Sequence, residues 1–244
     1  MSFKRIIKSI FPATGAWVFF VLLIIMPLSC TKDPSTEPTD LLLKFSLEQD
    51  QSPPNFVDIE SSSATLKSFE FDGIREGKRD YYFKSDFDPP VRANLITGEL
   101  KPEKKFNVPQ GVYERIRVAV EMAEDTSAGI PGIVFSGSAQ FPGRGRMPFE
   151  IKLSPDFNFE GNAKRASSHE TSGLGLSAQK ISTLEIVINT KDMFKGVPGH
   201  MIEEAERPVV NGKPTLVIGE DINNEIYGIV SFRLQQSAKA IIKQ

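Results

Sequence analysis

Covalent staples and a basic surface are both missing from this chain. It holds one cysteine, Cys30, one tryptophan, Trp17, and two histidines, His169 and His200, in 244 residues. One thiol cannot form a disulfide within a chain, so the fold must be held by its core. Two histidines leave few nitrogen ligands for a metal and few bases near neutral pH. The formal net charge is −2, which excludes the strongly basic face that nucleic acid or an anionic membrane surface attracts. No Gly-x-Ser-x-Gly elbow occurs, and Gly173-Leu174-Gly175-Leu176 lacks the third glycine and the preceding strand of a phosphate-binding loop. What is present is ordinary globular composition, 40% hydrophobic and 25% charged, long enough for one sizeable core.

The N-terminus carries the sharpest signal. Lys4, Arg5 and Lys8, with no acid, precede an unbroken apolar run from Ala16 to Met26, and Pro27-Leu28-Ser29-Cys30 follows. These are the charged, apolar and cleavage regions of a secretory signal over residues 1–29. Eleven apolar residues fall short of the roughly 20 that span a bilayer as a helix. Leu28-Ser29-Cys30 resembles a bacterial lipobox, in which an apolar and a small residue precede the lipidated cysteine; Pro27 stands where that pattern usually has leucine. An uncleaved signal anchor is the alternative. Cleavage removes three cations and no acid, so the net charge of −2 becomes −5, and acyl chains on Cys30 then hold the protein to the membrane.

Residues 30–40 are polar, with Pro34 and Pro38 and no aliphatic side chain, and read as a flexible tether. From residue 41 the dominant period is two. Leu41, Leu43, Phe45 and Leu47 alternate with Leu42, Lys44, Ser46 and Glu48; Val112, Ile116, Val118, Val120 and Met122 line one side of a second segment, and the same pattern marks Met147 to Leu153 and Leu184 to Ile188. The same signature marks Phe157-Phe159, and weaker alternation marks Phe69-Phe71, Tyr81-Phe83, Val91-Ile96 and Ile133-Phe135. Pro53-Pro54, Asp72-Gly73, Pro89-Pro90, Pro109-Gln110-Gly111 and Pro131-Gly132 punctuate them. The expectation is a mainly β chain, an antiparallel β-sandwich over residues 41–244 with short turns. Its C-terminal part, about 190–244, is expected to be helical. Short turns cover Lys191–Gly196 and His200–Glu206, and one C-terminal helix covers roughly 221–236 behind an Asp221 cap.

Phe106-Asn107-Val108-Pro109-Gln110-Gly111-Val112-Tyr113 resembles the turn and strand "proline, any, glycine, any, tyrosine" of prealbumin-like β-sandwich domains in uncharacterised lipoproteins of Bacteroidota. Leu184 to Asn189 followed by Met193-Phe194-Lys195-Gly196-Val197 is similar to a strand and short turn in the same proteins, and Lys32-Asp33 resembles their charged surface-export signal. The resemblance implies a prealbumin- or immunoglobulin-like fold on the bacterial outer membrane, facing the exterior or the periplasm. It carries no catalytic residue.

Candidate chemistry is sparse. His200, Glu203 and Glu204 share one side of a helical turn, but no second histidine stands four residues on, so no metal site is expected. Asp221, Asn223 and Glu225 sit like positions 1, 3 and 5 of a calcium loop, yet Ile226 occupies the glycine position and Phe232 the twelfth. Asp86 with Asp88 and Glu203 with Glu204 are carboxylate pairs too close in sequence for glycoside hydrolysis across a cleft. Tyr81 and Tyr82 are adjacent, so on a strand one must point outward, and Arg144-Gly145-Arg146 offers a basic turn for an acidic partner. These four side chains are the candidate ligand contacts, with no catalytic residue and no cofactor. The expected function is a non-enzymatic, lipid-anchored envelope module that binds a protein or glycan partner. A fimbrial or surface-assembly subunit is the alternative, and a glycan-active enzyme ranks third.

Overall fold

Alternating side chains become strands wherever one face can be buried, and that rule accounts for most of the chain. The computed structural model describes residues 37–49, 57–123, 131–141, 145–166 and 173–244, and Glu37–Gln244 forms one compact unit. The first strands are β1 (Pro38–Glu48), β2 (Val57–Arg75), β3 (Tyr81–Asn94), β4 (Glu99–Lys101), β5 (Lys105–Pro109) and β6 (Gly111–Met122). Then come β7 (Ile133–Phe141), β8 (Gly145–Leu153), β9 (Phe159–Arg165), β10 (Leu174–Leu176) and β11 (Ser182–Asn189). The C-terminal part holds α1 (Gly199–Glu204), β12 (Val209–Val210), β13 (Lys213–Pro214), β14 (Leu216–Ile218), α2 (Asn224–Ser237) and β15 (Lys239–Lys243).

Thirteen strands join one sheet, with the main path β14-β8-β7-β2-β6-β9-β15-β11-β1-β5; β12 and β13 form a separate hairpin. The sheet is mixed, which corrects the antiparallel expectation. β1 runs parallel to β11, β14 to β8, and β15 to β9. Period-two alternation fixes which face a residue takes and says nothing of strand direction. Parallel partners also need a long crossover, and nine strands, β2 to β10, lie between β1 and β11.

β2 organises the sheet. Its first half pairs with β7 and its second half with β6, while Ser63 pairs with both Val134 of β7 and Asn94 of β3, so β3 lies on the opposite edge. Its register shifts three times, between Ile59 and Ser61, between Leu66 and Ser68, and between Ile74 and Arg75. The second explains how β3 runs through Pro89-Pro90. Leu66 pairs with Val91 but Ser68 with Asp86, so Phe87 to Pro90 loop out where no ladder donor is required. The sheet then curls on itself. Leu95 N donates to Ser62 O on β2 at 3.1 Å, and Leu95 O accepts from Leu47 N on β1 at 2.8 Å, so the two ends of the run β2-β6-β9-β15-β11-β1 meet there. Inside lie Phe45, Phe69, Phe71, Ile116, Val118, Ile186 and Ile188, all buried.

The last fifty residues are less helical than expected. α2 begins at Asn224, not behind an Asp221 cap; the N-cap is Asn223, in the left-handed region at φ 54. Its side chain makes no cap bond and instead ties three segments: Nδ2 donates to Glu206 O at 2.9 Å and to Val217 O at 2.6 Å, and Oδ1 accepts from Glu206 N at 2.9 Å. Beyond the helix, Lys239–Lys243 forms β15, inserted between β11 and β9 in the interior of the sheet. Lys243 also bonds the Glu185 carboxylate on β11. Burial pushes that carboxyl up, but hydrogen bonds from Lys243 and Ser46 outweigh it and hold it below the usual range.

β1 opens at Pro38, so Pro38, Thr39 and Asp40, which composition places in the tether, pair with Pro109, Val108 and Asn107 of β5. The turn that follows β5 is closed by Tyr113. Its hydroxyl donates to Pro109 O at 2.6 Å, four residues upstream, in the manner of a tyrosine corner. Arg75 Nη2 donates to Gln110 O at 2.8 Å from the other side. The Tyr113 ring lies across Gly73, where a Cβ would stand 2.5 Å from Tyr113 Cε1.

Burial pushes the Tyr113 hydroxyl up from 10.0 to about 12, against the opposing charge of Arg75. The folded state therefore holds this proton more tightly than the unfolded chain. The corresponding stability is complete below pH 10 and is lost as pH rises toward 12, by roughly 2–3 kcal/mol in total. Urea unfolding from pH 9 to 12 is expected to show this fall, and Tyr113→Phe, although weaker at pH 9, is expected to show a shallower one. Equal pH slopes in the two proteins would contradict it.

Candidate functional site

A polar recess lies on the outward face of β7 and β8. Along β7 the inward positions Phe135 and Ala139 are buried, which turns Ser136 and Ser138 outward around Gly137. Register sets Glu150 of β8 beside Ser136 and Pro148 beside Ser138, and sets Ser61 and Asp58 of β2 on the other flank. The bulge between Ile59 and Ser61 adds Glu60 to that flank. On the far side stands the β12–β13 hairpin, turned by Asn211 at φ 52 and Gly212 at φ 77, which brings Val210, Asn211 and Lys213 over the recess. The groove so enclosed has a volume of about 530 Å³, inside the roughly 300–1,000 Å³ of small-molecule sites. Pockets at Lys44 and Glu103 and at Glu204 and Asn224 are smaller, about 210 and 190 Å³.

Two charged side chains of the groove are held in place. Arg146 Nη2 donates to Asp58 Oδ2 at 2.5 Å, and its Nε donates to Ser138 Oγ at 2.8 Å. Glu150 pairs with Lys152 at 2.9 Å, and Ser61 Oγ lies 2.7 Å from Ser136 Oγ. Such exposed pairs add little stability, about 0–1 kcal/mol each. Their consequence is geometric, because they fix a guanidinium and a carboxylate at the edges of a floor of hydroxyls.

The candidate contacts do not come together. Arg146 lines the groove, while Arg144 lies outside the described residues, as do Cys30 and His169. Tyr81 and Tyr82 belong to β3 and do not line the groove. Tyr82 points outward, 59% exposed, paired with Asp72, itself in an ion pair with Arg115 at 3.5 Å. Nearby on that face Lys84 donates to Glu121 at 2.9 Å, and this bond holds the Glu121 carboxyl below its ordinary value. Tyr81 turns inward and packs with Phe71 and Phe83, ring centroids 6.3 and 5.9 Å away, and its hydroxyl donates to Asn107 O at 3.2 Å. It is partly buried and packs against the core.

His200 is exposed on α1 with Glu203 and Glu204, and among the described residues no group of three or more His, Cys, Asp or Glu could hold a metal ion. Asp86 and Asp88 both lie exposed on β3. Among the described residues no helix is long and apolar enough to cross a membrane. Glu60, Ser136, Ser138, Glu150 and Lys213 escape sequence reasoning because they sit on four separate strands or bulges. One signal was readable, the Asn211-Gly212 pair between Val209-Val210 and Lys213, which marks a tight hairpin. Comparison with family models, with curated proteins and with solved structures finds no match to this chain.

Proposed function

We propose that this chain is a lipoprotein of the bacterial outer membrane, anchored through Cys30, whose β-rich body binds a partner or ligand without catalysing a reaction. The observation that supports it most is the order of features. A cationic end, an apolar run too short to span comfortably and Leu28-Ser29-Cys30 stand directly before a polar stretch, and β1 opens at Pro38, eight residues after the cysteine. A lipid on Cys30 would hold that body close to the membrane while leaving its outer faces accessible. Kinship to prealbumin-like sandwich lipoproteins belongs to the same reading and rests on the Pro109–Tyr113 turn.

Cells grown with a radioactive or alkyne-bearing fatty acid test the anchor. The protein is expected to take up label and to leave the envelope fraction only with detergent. Cys30→Ala is expected to stay unlabelled and to retain its first 29 residues. Label that persists in Cys30→Ala, or a wild-type chain that washes off in salt, overturns the reading.

A further inference from the structure

We infer that the groove between the β12–β13 hairpin and the outward face of β7 and β8 is a binding site for a neutral saccharide segment. Its lining decides the chemistry. Glu60 and Glu150 balance Arg146 and Lys213, so the groove selects neither an anion nor a cation. On the floor, Ser138 Oγ accepts from Arg146 and keeps its O–H to donate, and Ser136 Oγ, bonded to Ser61 Oγ, keeps a lone pair to accept. A ligand that presents donors and acceptors together at short spacing, with no charge, matches such a surface, and vicinal sugar hydroxyls have that property.

A peptide fits less well. Peptide recognition relies on apolar anchors or on a ladder along an open strand edge. Here Phe149 turns its ring into the core at 1% exposure, and Pro148, on the β8 edge, has no N–H to donate. Exposed ion pairs alone contribute about 0–1 kcal/mol, too little to hold a charged peptide. By contrast, Arg146 is already fixed by Asp58 and Ser138, and Glu150 by Lys152. Preset polar groups lose little freedom on binding, which is how hydrogen bonds can hold a polyol in water. Without an aromatic platform the affinity is modest. Among the described residues Glu60 and Lys213 make no ion pair, so replacing them removes ligand contacts and leaves the fold intact.

This inference rests on the body being a binding module and not on the lipid, so the two tests fail separately. The full-length protein, in a detergent without a sugar headgroup, is titrated with maltotriose, cellotriose, mannotriose and triacetylchitotriose, with the tetrapeptide Lys-Ala-Ala-Glu as comparator. Saturation-transfer NMR reports binding and amide shifts report position. At least one trisaccharide is expected to saturate with a Kd below about 10 mM, shifting Ser136, Ser138 and Lys213 amides. Glu60→Ala and Lys213→Ala are each expected to weaken it about fivefold, the loss of one hydrogen bond, while Ile181→Ala, at an exposed position outside the groove, leaves it unchanged. No saturable trisaccharide, shifts confined to other faces, variants without effect, or tighter binding of the tetrapeptide would each overturn the assignment.

Discussion

Gly137→Ala is expected to abolish the stable fold, or to lower the melting temperature by ~10 °C or more, a loss of at least about 4 kcal/mol. A Cβ at this position would stand 1.9 Å from the Asp58 carbonyl oxygen, 2.9 Å from its carbon and 3.0 Å from Ile59 Cα. All three are backbone atoms, so no side-chain rotation relieves the clash. The cause is the bulge after Ile59, which presses the β2 backbone onto the face of β7 at the residue opposite Gly137. To admit a methyl group the first half of β2 must lift away, and with it the buried Val57 and Ile59. Overpacking of this kind costs a large part of the roughly 5–15 kcal/mol that holds a domain together. Gly175→Ala is the control, since the nearest atom to its added Cβ is Arg165 Nη2 at 3.9 Å, and a change below about 1 kcal/mol is expected there. Thermal unfolding followed by circular dichroism compares them; a Gly137→Ala melting temperature within a few degrees of wild type would contradict the steric reading.

That clash was not legible in the sequence, and the reason is general to this fold. Face assignment is local, so Leu41 to Leu47, Ile116 to Met122, Phe149 to Leu153 and Leu184 to Ile188 reveal β1, β6, β8 and β11 by alternation alone. Pairing is not local. Nothing in Val57–Arg75 announces a single strand serving three partners, because its interior contains Asp72-Gly73, which alone reads as a turn. Gly73 is needed there to admit the Tyr113 ring, a requirement set by a residue forty positions away. The apolar positions Ile226, Val230 and Leu234 gave the helix correctly and all three are buried, but its start slipped past Asp221 because Asn223 bonds across to Glu206 and Val217 instead of capping. The groove was least legible of all. Arg146 was visible as part of a basic turn, whereas its Asp58 partner lies 88 residues upstream and on another strand.

The C-terminal strand tests the same point at larger scale. A chain ending at Ala238, without β15, is expected to lose cooperative unfolding altogether and to aggregate. Side-chain burial alone does not predict this, since Ala240 and Ile242 together contribute roughly 2–4 kcal/mol. The decisive loss is in the sheet. β15 pairs with β11 over five positions and, on its other edge, with β9 over three. Its removal leaves a gap of two strand spacings, about 9.6 Å, between two strands that cannot then reach each other. Each inward-facing backbone group left without a partner costs about 1–3 kcal/mol, so a handful exceeds the whole stability of a domain. The Lys239–Glu48 contact at 3.0 Å and the Lys243–Glu185 contact go with it. Ile241→Ala separates the two effects, because Ile241 is half-buried on the outward side and its truncation leaves every ladder bond in place; about 1 kcal/mol is expected. Urea unfolding and amide dispersion in NMR spectra measure both. A truncated chain that still unfolds in one sharp transition would show that β9 and β11 close over the gap, and that the sheet does not depend on its last strand.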